Sequence, residues 1–257
     1  MFLTKPFSLA HARSMFGGTD PKKIVALIRN LCWDYYTYLD DFDIVLDTNR
    51  WLASATGGAT AITAFALNVQ RCGALRGDTG TDDNAAISLA GVNEVFDAAD
   101  NPFMVIRWKA PAAVTDFSFE IGFSDPKTDE ALPGITDVDT PASGNGVTDI
   151  ICVHMDTDQT LKTAALVADG TTGAAAKTNI GTYTPTVSAW QTFVIGFRAN
   201  IGFCHIWDGD GYVGSYDVAQ GPDTAILVEP YALFRTRSTV QKDIDIDYIL
   251  VGCERNA

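Results

Sequence analysis

Residues 101–125 read NPFMVIRWKAPAAVTDFSFEIGFSD, and the parsing of that stretch decides the fold. Two apolar-rich runs flank a short Ala/Pro/Val link. In the second run Phe117, Phe119, Ile121 and Phe123 alternate with Ser118, Glu120, Gly122 and Ser124. A period of two with this density of Phe and Ile marks a half-buried strand, because successive side chains leave the pleat on opposite faces. In the first run Phe103, Val105 and Arg107 alternate with Met104, Ile106 and Trp108. The stretch predicts an antiparallel strand pair at the centre of a β-sandwich, with Glu120 on the solvated face.

The same period recurs outward. Residues 50–53, 85–89, 149–155, 160–168, 190–199, 202–207 and 212–218 read as strands between Gly, Asp and Asn turns. Pro230 interrupts a further strand at 225–236 and is expected at an edge or bulge, since it has no N–H for the ladder. In the closing strand, residues 242–252, Ile244, Ile246, Tyr248 and Leu250 face one way and Asp243, Asp245 and Asp247 the other. Residues 126–146 are rich in Pro, Gly and acids and read as a surface excursion. The total is an all-β sandwich of about a dozen short strands.

Residues 1–40 differ in character and are read as an N-terminal arm ahead of a sandwich domain at 41–257. Asp20 and Pro21 suit an N-cap and first helical position, and Ile24, Leu27, Ile28 and Leu31 follow at helical spacing, so a short helix is predicted over 21–31. Phe2, Leu3, Phe7, Leu9 and Phe16 are further apolar anchors of the arm. A sandwich buries its own core, so this arm has to find a partner elsewhere or wrap back. Trp33, Tyr35 and, far along the chain, Tyr212 are candidate platforms for stacking a glycan.

Charge narrows the function classes. The formal net charge is −14; residues 1–40 hold five cations against three carboxylates, which leaves the remainder at −16. Such a body repels phosphates, so direct nucleic-acid binding is not expected. With 47% apolar and only 19% charged residues, an assembled protein fits better than a free monomer. The five cysteines show no CxxC pair and no His at ligand spacing, which suits a reducing compartment. The first residues lack the apolar core of a secretory signal, and no run nears the roughly 20 apolar residues that span a bilayer, so no membrane partner is expected.

Three segments together resemble the concanavalin A-like jelly roll of laminarinase-type glucanases and lectins: FSFEIGFSD (117–125), WQTFVIGFRANIGFCHIWDGDG (190–211) and KDIDIDYILVG (242–252). The likeness covers about residues 41–254 and implies that fold. Hydrolases of this kind carry Glu-x-Asp-x-x-Glu on a concave strand, two of whose carboxylates act as nucleophile and acid. Here Glu120 is followed by Gly122 in place of the Asp and Asp125 in place of the second Glu, so an enzyme is not expected. Lectins of the fold hold calcium and manganese through clustered Asp, Asn and His. Asp125 with Asp129, or Asp208 with Asp210, offers oxygen ligands but also reads as plain turn chemistry, so no metal or cofactor is assigned. His154 and His205 lie in apolar runs and are expected as core histidines.

An acidic sandwich with an apolar arm and no complete active site also resembles virion proteins of tailed bacteriophages. That resemblance implies a capsid decoration (cement) protein whose arm binds the major capsid protein or a sister subunit. The chain would then form a symmetric homo-oligomer such as a trimer, in a virion assembled in the host cytoplasm. The alternative is a carbohydrate-binding module of a phage tail fibre or tail tip.

Overall fold

The protein is seen in a computed structural model that describes residues 35–40, 46–64, 74–92, 95–170, 175–198, 200–209 and 211–254. The alternating runs become strands: β1 (Tyr35–Asp40), β2 (Trp51–Thr56), β3 (Thr60–Ala64), β4 (Leu75–Asp78), β5 (Ala86–Gly91), β6 (Phe96–Asp97), β7 (Phe103–Lys109), β8 (Phe117–Ser124) and β9 (Ile135–Asp137). The second half supplies β10 (Ala142–Ser143), β11 (Ile150–Asp156), β12 (Ala165–Asp169), β13 (Ala176–Asn179), β14 (Trp190–Arg198), β15 (Ile201–Asp208), β16 (Gly211–Val218), β17 (Leu227–Thr236) and β18 (Asp243–Glu254). The helix expected at 21–31, the anchors Phe2 to Phe16 and Trp33 lie outside the described residues.

Two eight-stranded sheets form the layers. One runs β16-β15-β14-β7-β18-β4-β3 with β1 also on β18; the other runs β13-β12-β11-β8-β17-β5-β2 with β6 also on β17. Every neighbouring pair is antiparallel. β1 pairs Tyr35 with Glu254 and Asp40 with Ile249, so the first sheet takes in six residues ahead of residue 41. No helix among the described residues is long and apolar enough to cross a membrane.

The two runs that decide the fold are not a pair. β7 lies between β14 and β18, and β8 between β11 and β17. They face each other across the core instead. The indole of Trp108 on β7 sits 5.2 Å from the ring of Phe119 on β8, 5.2 Å from Phe234 on β17 and 5.7 Å from Phe193 on β14. The link between them crosses the roughly 10 Å that separates stacked sheets, which a tight hairpin turn cannot do.

Two further expectations change. Pro230 is buried in a central strand, not at an edge. On one side of β17 the neighbour is β8 throughout, while on the other it passes from β6 at Val228 to β5 at Tyr231, and Pro230 falls in that gap. Its missing N–H therefore removes no ladder bond there. In β18 the register shifts between Ile246 and Tyr248, so Asp247 is an extra residue. Ile244 and Ile246 face the core as expected, but beyond the bulge Ile249, Val251 and Cys253 do so, and Tyr248 and Leu250 turn outward.

The sides of the sandwich are closed by neighbouring elements. The turn between β2 and β3 takes the chain from one sheet to the other, and the two strands lie close together. At the opposite side the Thr178 hydroxyl of β13 donates to the Asp217 carbonyl of β16 at 2.7 Å.

A buried polar network as the candidate functional site

Strand β8 puts its four large apolar side chains into the core, so Ser118, Glu120, Gly122 and Ser124 face the other way. Register then fixes the neighbours on that outer face. Glu120 stands opposite His154 of β11 and Leu233 of β17, Gly122 opposite Cys152 and Tyr231, and Ser124 opposite Ile150 and Glu229. The face is not solvated. Ile135 and Val138, from the segment expected as a surface excursion, and Val147 just after it pack on Ala90, Cys152, Val167 and Leu233 in a second apolar cluster. Residues 126–148 thus form a cover over the sheet.

Glu120, expected in solvent, is 0% exposed. A carboxylate without water has to be met by donors, and the cover provides two of them. Gly134 N–H donates to one oxygen at 2.7 Å and Ile135 N–H to the other at 2.9 Å. The Tyr231 hydroxyl donates at 2.8 Å, and His154 Nδ1 lies 3.1 Å away. Burial pushes the Glu120 carboxyl up. The His154 hydrogen bond and charge, Lys127 and the Ile135 N–H outweigh that and hold it down at about 2. The sheet below also dictates the glycine: a Cβ at Gly122 would run into the Ile151 carbonyl of β11. The Asp of the hydrolase pattern therefore cannot stand at this position.

Around this anchor are further ionisable groups. Lys127 Nζ lies 3.3 Å from the centroid of the Tyr231 ring and 3.9 Å from a Glu130 oxygen. Burial pushes its ammonium pKa down, against the carboxylates of Glu120, Glu130 and Glu229. Burial and then the neighbouring Glu130 raise Glu229 to about 8. Burial pushes the Cys152 thiol well up, so it is a neutral thiol. Lower on the same face Asp156 accepts from Arg235 at 3.1 Å and is also ion-paired with Arg237.

Among the described residues one group of three brings potential metal-ligand atoms within 4.8 Å of one another: Glu120, Cys152 and His154. Each oxygen of Glu120 already accepts two hydrogen bonds, Cys152 holds its proton and Lys127 supplies a cation nearby. The donor set is thus suited to a proton network more than to an ion. Asp125 and Asp129 do not converge. Asp125 accepts from Thr148 N–H and hydroxyl and Asp149 N–H, whereas Asp129 accepts from Ala131 N–H in its own turn. Asp208 accepts from Thr186 N–H and hydroxyl and from Gln191, and Asp210 lies outside the described residues.

Of the stacking candidates, Tyr35 opens β1 and Trp33 lies outside the described residues. Tyr212 is half-buried on the outer face of the β7 sheet, its ring 5.2 Å from Trp207. His205, expected in the core, is half-exposed there, 3.5 Å from the Tyr212 hydroxyl. Beside them the Arg107 guanidinium lies 4.6 Å over the Trp190 ring and is ion-paired with Asp247. Sequence reasoning missed the His154–Glu120–Tyr231–Lys127 network. The available signal was an ionisable residue at the centre of each of two otherwise apolar strands.

Comparison with solved structures bears on the arrangement of these layers. Peanut lectin superposes with a TM-score of 0.58 at 10% identity over 87% of this chain and 100% of that one. The exoplasmic/lumenal domain of VIP36, in its Ca2+/Man3GlcNAc-bound form, gives 0.53 at 8% over 86% and 92%. The fold is the concanavalin A-like sandwich of the legume-type lectins. This sandwich is also shared by the Emp47p carbohydrate recognition domain, at 0.52 and 12% over 86% and 96%. A Shewanella oneidensis MR-1 protein of unknown function matches over 100% of this chain and 99% of its own, at 0.57 and 14%. No protein-family model and no curated protein matches the sequence.

Proposed function

We propose that this protein is a carbohydrate-recognition module without a hydrolytic centre. The observation that carries the reading is the state of Glu120. The one carboxylate that fits the hydrolase pattern lies beneath residues 126–148 and accepts four hydrogen bonds, two of them from the cover itself. It anchors a loop and faces no substrate. The face of the other sheet offers what a sugar needs: aromatic rings at Tyr212 and Trp190, with the Arg107–Asp247 pair beside them for hydroxyl groups. The chain's neighbours in fold include peanut lectin, the Emp47p carbohydrate recognition domain and a VIP36 domain solved in a Ca2+/Man3GlcNAc-bound form. The test is a glycan array followed by calorimetry with the full chain. A specific sugar should bind, and Tyr212→Ala should weaken it by at least about tenfold, the loss of one stacking ring. Silence across the array would reject the reading.

A structural role in a phage virion is the second reading. What favours it is that apolar residues on the outer faces of both sheets are buried, which suits a rigid building block. Its partner would be the major capsid protein, with copies of this chain in a symmetric homo-oligomer. Negative-stain images of the source particles check it: the protein should ride on a particle, and recovery solely as free protein would rule that role out.

A further inference from the structure

Residues 126–148 are tied to the β8 sheet in two ways, and one of them needs a titratable proton. The far part of the cover is pinned by fixed donors. Lys177 Nζ of β13 donates to the Val138 and Asp139 carbonyls at 2.8 and 2.6 Å, and the Asp139 carboxylate accepts from Leu161 N–H at 2.8 Å. The near part carries Glu130, which meets Glu229 of β17 in a side-chain hydrogen bond. Among the described residues no N–H or hydroxyl reaches Glu130 Oε2 or Glu229 Oε1, although both atoms are buried. Ser124, opposite Glu229 on β8, does not supply the hydrogen, because its own buried hydroxyl meets no partner. The hydrogen between the two carboxyls is therefore one that a carboxyl carries itself. Glu229 is faced by Glu130 and Lys127 from the cover and by Asp125 at the end of β8; on β6, Asp97 stands opposite Leu227. The Lys127 ammonium stays 3.9 Å from Glu130 Oε2, too far to replace that hydrogen.

We propose that residues 126–148 are a proton-latched flap, in which the hydrogen bond between Glu229 and Glu130 holds the near part on the sheet and its loss lifts that part off the Cys152 thiol. Connectivity sets what moves. Asn145 clasps Asp129, accepting from its N–H at 3.1 Å and donating to its carbonyl at 2.7 Å, so the turn at 144–147 travels with Glu130. Val147, at the end of that turn, packs in the cluster that buries Cys152. Asp125 accepts from Thr148 N–H at 3.1 Å and from its hydroxyl at 2.9 Å, which joins the two ends of the flap as a hinge. Burial and then Glu130 raise Glu229 to about 8, so above the ordinary 4.5 the closed flap holds a proton that an open one releases. Opening therefore becomes more frequent as pH rises through that window and levels off above about 8. Glu120, held at about 2, is ionised throughout and adds nothing to the profile. The device stands apart from the glycan reading, which uses the other sheet.

The experiment alkylates the full chain with iodoacetamide from about pH 5.5 to about pH 9.5 and maps each cysteine by mass spectrometry. Each rate is divided by that of the urea-unfolded chain at the same pH, which removes the ionisation of the thiol itself. Cys204 lies in the core between the sheets and reports unfolding of the whole molecule. Cys152 should react at least about tenfold faster than Cys204, with a corrected rate that rises at least about tenfold between about pH 6 and about pH 8 and then levels off. In Glu229→Gln, whose amide donates to Glu130 at every pH, the rise should vanish and the flap stay shut. Cys152 reacting only at the Cys204 rate would show that the cover opens with the whole fold, and would overturn the proposal. A flat profile in the wild type, or a rise that survives in Glu229→Gln, would do the same. Millimolar calcium chloride is the last arm: an unchanged profile is expected, whereas a flap that calcium holds shut at about pH 8.5 would give the carboxyl pair to a metal and overturn the proton latch.

Discussion

Glu120 and Glu229 stand on one face of one sheet and are driven in opposite directions. Glu120 is met by four donors and held low; Glu229 is buried beside another carboxyl and pushed high. Removing the first leaves its donors buried and unpaired, so Glu120→Ala should cost about 3–5 kcal/mol in urea unfolding. A loss below about 1 kcal/mol would mean that the network is loose. The pH dependence follows from the same contrast. Glu120's contribution is full above the ordinary carboxyl value of 4.5 and is lost as pH falls toward about 2. Glu229 works the other way. From 4.5 up to about 8 the folded chain keeps a proton that the unfolded chain releases, so stability falls as pH rises through that window. Urea midpoints at about pH 5 and about pH 8.5 should therefore converge in Glu229→Gln. An equal fall in variant and wild type would place the effect on another group.

The strand is the scale at which the sequence was most legible and also where it misled. The core face of β8 could be read directly, because four large apolar residues at a period of two admit one burial pattern. Its pairing could not be read: β7 and β8 are adjacent in the chain, yet their partners lie far along it. Nor could the burial of Glu120 be read, because it depends on where residues 126–148 come to rest. In β18 one extra residue reverses the faces. Deleting Asp247 should turn Ile249, Val251 and Cys253 away from the core and abolish cooperative unfolding; a normal sharp transition would show that the strand slips to compensate. Gly122→Asp restores the hydrolase spacing but meets the Ile151 carbonyl. It should lower the melting temperature by several degrees, as a steric insertion in a packed site does, with no β-glucan cleavage gained.

At the scale of the molecule, 18 cations face 32 carboxylates. Self-repulsion of this size is screened by salt, so raising sodium chloride from about 10 mM to about 0.5 M should raise the melting temperature; a fall would point to the ion pairs of Asp156 and Asp245 as the dominant charge effect. The layering has another consequence, which lies in how the rims are finished. Where β2 folds over onto β3, and where Thr178 occupies a carbonyl of β16, a passing extended peptide finds little bare backbone to copy. Chains with roofed rims do not template one another, so concentrated solutions should stay clear where an open-edged sandwich of the same composition would seed fibrils.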